Sequence, residues 1–162
     1  PGEHAGAEAD AAVTATPGCT LVVRTADCAP VVLEGERSVA VLHLGWRGLV
    51  AGLVAATVEL MASIDDRPRR AHLGPCIRPE CYEFGPDELD PIVQRFGTGV
   101  RGTTADGRPA LDVPALVHRS LHEHGIDDLL DSGECTACRP GWFSHRARRD
   151  DARFATAAWL GA

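Results

Sequence analysis

No apolar run in these 162 residues approaches the roughly 20 that a membrane-spanning helix requires. The start, Pro1-Gly2-Glu3-His4, also lacks the basic-then-apolar pattern of a secretory leader. A soluble, cytoplasmic protein is expected. Positive charge is in deficit, with 16 basic against 23 acidic side chains and a net charge of −7. Such a field repels phosphate backbones and anionic lipid, so neither nucleic acid nor a membrane is an expected partner. Six cysteines are too few for a disulfide scaffold at this length and read instead as thiols, ligands or core residues. The absence of an internal repeat, a low-complexity tract or a heptad argues against solenoids and coiled coils.

What is present points to one globular unit. Hydrophobic residues make up 44% of the chain, enough for a sizeable core. Runs rich in Val or Leu at 20–25, 29–33 and 38–44 predict strands, and 71–74, 142–146 and 154–160 are further candidates. Apolar residues at close to the 3.6-residue period predict a long helix over 48–64. A second helix is expected after Asp112, an N-cap residue, with Pro114 in its first turn and Gly125 past its end. A shorter helix covers 88–96, and residues 1–10 look loosely held. Interleaved strands and helices of this kind imply an α/β or α+β architecture.

Glu34-Gly35-Glu36-Arg37 suits a two-residue type II′ turn with Gly35 first. In that register Val32 faces Val39, Pro30 faces Val41 and Cys28 faces His43, which puts a thiol and an imidazole on one sheet surface. Side chains so opposed could share one zinc ion, or could form a cysteine nucleophile with a histidine base. An isolated Cys and His are more often plain core residues, but Asp27, Trp46 and Arg47 gather at the same end of the hairpin. The segment His43-Leu44-Gly45-Trp46-Arg47-Gly48 leads from strand into helix, so helix N–H groups, Arg47 and a close backbone approach at Gly48 suggest an anion pocket.

Four groups of residues together resemble the YfiH-type laccase-domain family: Thr25-Ala26-Asp27-Cys28-Ala29-Pro30, His43 to Gly48, Gly74-Pro75-Cys76-Ile77 with Cys81-Tyr82-Glu83, and Cys135-Thr136 followed by Trp142-Phe143-Ser144-His145-Arg146 and Arg153. The resemblance implies a four-layer α-β-β-α sandwich across residues 1–162. It also implies a zinc held by two histidines and a cysteine, with Cys28 and His43 as two of the three ligands and copper as the alternative metal. The remaining histidine belongs to a Gln-Val-His-Gly element upstream of everything here, and His4 does not match it, so the chain reads as N-terminally truncated.

The activities implied are phosphorolysis of purine nucleosides, adenosine deamination and cleavage of methylthioadenosine, with a purine nucleoside and inorganic phosphate as partners. Asp27, Cys28, His43 and Arg47 are the expected catalytic residues, and Arg47, Gly48, Cys76, Arg146 and Arg153 are expected on substrate or phosphate. Asp27 is expected to orient His43 or substrate. A cysteine–histidine hydrolase editing peptidoglycan precursors, a copper polyphenol oxidase and an inactive binding subunit are the alternatives.

Other candidates rank lower. Cys135-x-x-Cys138 could join Cys76 and Cys81 in a structural zinc cluster, although burial near the pocket explains each cysteine at least as well. His118 and His122 lie four apart on a helix without the metalloprotease glutamate and read as exposed. Arg146, Arg148, Arg149 and Arg153 with Asp150 and Asp151 read mainly as a salt-bridged surface.

Overall fold

The structure, a computed structural model, describes residues 7–161. Its strands are β1 Ala11–Thr14, β2 Leu21–Thr25, β3 Ala29–Glu34, β4 Val39–Leu44, β5 Arg70–Leu73, β6 Arg101–Thr103, β7 Pro109–Leu111, β8 Leu129–Asp131 and β9 Phe154–Ala158. Its α-helices are α1 Trp46–Val50, α2 Leu53–Ala62, α3 Pro86–Phe96, α4 Val113–His122 and α5 His145–Arg148. Five strands form one sheet in the order β1-β4-β3-β5-β8, antiparallel except for the β5–β8 pair. Strands β2 and β9 form a separate antiparallel ribbon, and β6 pairs with β7.

Period-two alternation sorts the central strands into two faces. Val31 and Leu33 of β3 and Ala40, Leu42 and Leu44 of β4 enter the main core with Val58 and Met61 of α2 and Leu116 and Leu121 of α4. Val32, Val39 and Val41 point the other way, against Val23 and Ala158 of the ribbon. The result is helices, sheet and ribbon in successive layers, a mixed α+β fold. Each fully buried leucine contributes roughly 1.5–3 kcal/mol by leaving water, and Leu33, Leu42 and Leu44 are all fully buried.

The expected two-residue hairpin is not what forms. Glu34 pairs with Val39, leaving residues 35–38 as the loop, so Val32 opposes Val41 and Pro30 opposes His43. The cause lies outside the hairpin. Asp66, beyond the end of α2, accepts hydrogen bonds from the backbone N–H of Glu36 (3.1 Å) and Arg37 (2.9 Å) and from the Ser38 hydroxyl (2.7 Å). Gly35 is needed for this approach, because a Cβ there would lie 2.3 Å from Asp66 Oδ2. A slip of two residues preserves facing, and His43 stays on the ribbon side of the sheet with Val39 and Val41.

The long helix expected over 48–64 is broken. Ala51 N–H bonds Arg47 O, Gly52 N–H bonds Leu49 O, and Gly52 takes a left-handed φ of 85° before α2 starts. Helix α4 forms as expected, its first turn capped by Asp112, which accepts from Ala115 N–H at 2.9 Å. Residues 142–146 do not form a strand. Ser144 accepts from Ala147 N–H at 3.1 Å and so caps the short helix α5. Strands β1, β6, β7 and β8, none longer than four residues, were not anticipated.

Candidate active site

Cys28 immediately precedes β3, and His43 lies near the end of β4 opposite Pro30. Extending the pairing one step past Ala29 and Leu44 brings Cys28 beside Gly45, where an added Cβ would meet its Sγ at 3.3 Å. The thiol thus occupies space that the glycine leaves open. Cys28 and His43 are diagonal neighbours, not the directly opposed pair expected. Diagonal positions stand about 7–8 Å apart, within the reach of long side chains.

His43 is oriented by Asp10, not Asp27. Its Nδ1 lies 3.0 Å from Asp10 Oδ1, and its backbone N–H donates to Asp10 O at 2.7 Å. The described end of the N-terminal segment is therefore tied to the site, and His4 lies outside the described residues. With one ring nitrogen held by a carboxylate, the imidazole has Nε2 left for a cation, the usual arrangement of a metal-binding histidine. Burial pushes the Cys28 thiol above its ordinary value, Asp27 and Asp10 push it further, and Arg153 partly opposes them. A positive ion is what would favour the thiolate here.

Asp27 joins three distant segments. It is buried, with a strained φ of 90°. Its carboxylate accepts from Thr136 Oγ1 (2.7 Å) and Arg146 N–H (2.6 Å), while its carbonyl accepts from Ile77 N–H (2.9 Å). The Arg146 guanidinium sits 4.9 Å from the centre of the Tyr82 ring and donates to Glu83 O at 2.7 Å. Trp46 packs edge-on against Phe84 at 5.4 Å and carries Arg47, whose guanidinium lies 4.3 Å above its ring and is exposed. Burial raises the Tyr82 hydroxyl above its ordinary value, with Arg146 and Arg47 opposing and Cys28 and Asp27 reinforcing. Cationic, aromatic and thiol groups therefore converge on one region.

The other expected site residues divide. Gly48 lies inside the single turn of α1. So short a helix supplies little of the dipole that the sequence reading assigned to a long one. Arg153 turns back to donate to the carbonyls of Asp150, Asp151 and Ala152. Cys76 is fully buried in the main core and offers no atom to a substrate, a correction to its expected role. Arg148, read as surface charge, donates to the carbonyls of Thr136, Ala137 and Trp142 and braces the loop that carries Thr136. Asp10, Thr136 and Arg148 reach the site through side-chain contacts that no local spacing signals.

His118 and His122 are exposed, and His122 pairs with Asp127. Among the described residues, the group of three or more potential metal ligands within mutual reach is Glu80, Cys81, Cys135 and Cys138, not the Cys28–His43 pair. The donor chemistry of Cys28 and His43 fits zinc, and the further histidine implied by the resemblance lies outside the described residues. No helix among the described residues is long and apolar enough to cross a membrane.

The five-stranded sheet, with helices on one face and a two-stranded ribbon on the other, is a laccase-like fold of the YfiH kind. The chain belongs to the family described as multi-copper polyphenol oxidoreductase laccase, whose family model matches residues 2–161. A Streptomyces coelicolor protein named purine nucleoside phosphorylase is 41% identical over 155 residues, covering 93% of this chain and 64% of the relative. A Xylella fastidiosa protein of the same name is 39% identical over 162 residues, covering 94% and 61%. This chain therefore spans less than two thirds of either relative. Among solved structures, a Neisseria meningitidis protein of family DUF152 superposes with a TM-score of 0.83 at 29% identity, covering 96% of this chain and 66% of that one. Bacillus licheniformis YfiH gives a TM-score of 0.82 at 26% identity, covering 93% and 61%.

Proposed function

We propose that this chain forms the metal-bearing sheet and most of the substrate pocket of a zinc-dependent purine nucleoside phosphorylase. The same site would deaminate adenosine and cleave methylthioadenosine, with a purine nucleoside and inorganic phosphate as substrates in the cytoplasm. The observation that carries this reading is the Asp10–His43 pair, with Nδ1 held by a carboxylate, on the sheet surface beside the Cys28 thiol. The names of the 41% and 39% identical relatives supply the substrate class.

Cys28 and His43 would hold zinc together with a third donor outside the described residues. When bound, zinc would supply a Lewis acid able to activate water or polarise the substrate near neutral pH. The protein's own part is orientation. Asp10 fixes the imidazole, and Asp27 ties the Thr136 and Arg146 segments to the thiol-bearing turn. Arg146 and Tyr82 present a cationic and aromatic wall suited to a purine ring. Arg47, exposed at the rim, is placed for phosphate, whose oxygens its planar fork matches.

The test uses the full-length protein that contains this chain. Cys28→Ala and His43→Ala should each lower bound zinc and abolish both phosphate-dependent base release from inosine and conversion of adenosine to inosine. Retention of either activity in zinc-depleted Cys28→Ala protein would refute the assignment.

A further inference from the structure

A second group of potential metal ligands lies in the segments that carry Tyr82 and Thr136. Glu80, Cys81, Cys135 and Cys138 each offer a ligand atom, and these atoms lie within 4.8 Å of one another. Cys138 Sγ is 3.9 Å from Glu80 Oε1. Cys81 closes the 3-10 turn Pro79–Cys81, while Cys135 and Cys138 flank a tight turn in which Arg139 N–H donates to Cys135 O at 3.1 Å. Cys135 is 3% exposed, Cys81 is partly buried, and Glu80 and Cys138 face solvent. The core thus anchors one side of the group and water reaches the other.

We propose that Cys81, Cys135, Cys138 and Glu80 form a second metal site that takes zinc in a structural role. Three thiolates and a carboxylate on a C-x2-C turn and a neighbouring loop suit a tetrahedral thiophilic ion and do not suit Mg²⁺ or Ca²⁺, which prefer all-oxygen sets. Tetrahedral coordination with Zn–S bonds of about 2.3 Å puts thiolates roughly 3.8 Å apart. The four donors need to draw in by about 1 Å at most, a movement available to two exposed side chains. Four protein donors leave no open position, so the ion would fasten loops and not react.

What it would fasten follows from chain position. Cys81 precedes Tyr82, which faces Arg146, and Cys135 precedes Thr136, which donates to Asp27. Backbone pairing already pins the second loop, since Cys76 N–H bonds Glu134 O and Thr136 N–H bonds Cys76 O. Among the described residues, the backbone N–H of Cys81 bonds within its own loop, to Arg78 O at 3.0 Å, and a shared ion would lock both loops against the pocket. Cys76, which the sequence grouped with these thiols, stays in the core, and Glu80 takes the fourth place.

The experiment is metal analysis of the full chain carrying Cys28→Ala and His43→Ala together, purified under reducing conditions. About one equivalent of zinc should survive the double change, and adding Cys138→Ser should weaken its retention against a chelator by at least about tenfold. Cobalt replacing zinc should show thiolate charge-transfer absorption that falls by about a third in the Cys138→Ser background. Cys138 is exposed, so its replacement leaves the fold intact; circular dichroism checks this. Loss of all zinc from the Cys28/His43 double variant while Cys81, Cys135 and Cys138 titrate as free thiols would overturn the proposal. So would a disulfide between any two of them in the reduced protein. Neither failure touches the proposed nucleoside chemistry, which is read from Cys28, His43 and turnover.

Discussion

Replacing Asp66 with asparagine removes a charge from a buried carboxyl group while keeping its shape. Burial pushes this carboxyl upward, but the Ser38 hydroxyl and the N–H groups of Arg37, Glu36 and Arg67 outweigh burial and hold it down at about 2, against an ordinary 3.8. That lowering corresponds to at most about 2.5 kcal/mol of folding free energy, and solvent around the exposed loop reduces the expectation to about 1–2 kcal/mol. A carboxyl lowered on folding stabilises the native state above its unfolded value and loses that contribution as pH falls through its folded value. Urea unfolding of wild type and Asp66→Asn should therefore show a constant gap of about 1–2 kcal/mol between roughly pH 7 and 5, closing between about pH 4 and 2. A gap that stays the same at about pH 2.5, or none at pH 7, would refute the claim that an ionised Asp66 holds the β3–β4 loop.

Gly35→Ala should destabilise through the same contact, since the new methyl would sit 2.3 Å from Asp66 Oδ2; the expected loss is about 1–3 kcal/mol in the same assay, and the double variant with Asp66→Asn should be less than additive. Asp10→Ala in the full-length protein should weaken zinc binding by about 10–100-fold by chelator competition, because His43 would lose the carboxylate that orients its ring. Arg148→Ala should speed amide exchange in residues 136–142 without changing it in the main sheet, and Arg148→Lys should not restore protection, because one ammonium cannot reproduce a fork that reaches three carbonyls.

Local patterning was a good guide wherever a residue's neighbours in sequence decide its environment. The Val- and Leu-rich runs marked β3 and β4, and Asp112 with Pro114 marked the start of α4. The same patterning overran α2 backwards, because a 3.6-residue period does not register the left-handed turn at Gly52. At 142–146 it read aromatic residues as a strand, where a serine cap instead starts a helical turn.

The sequence alone determined that β3 and β4 form a hairpin and that Cys28 and His43 belong to one of its surfaces. Both follow from the two-residue period of a strand and the closeness of the two runs in sequence, which act over a few residues. Only the tertiary structure decided the register, the partner of His43, the role of Asp27 and the gathering of Glu80 with three cysteines. The first three depend on a side chain from a distant segment finding its hydrogen-bond partner, and the fourth on two loops far apart in sequence being brought together. Such groups must find partners once water is excluded, but spacing along the chain does not say which partner folding will bring.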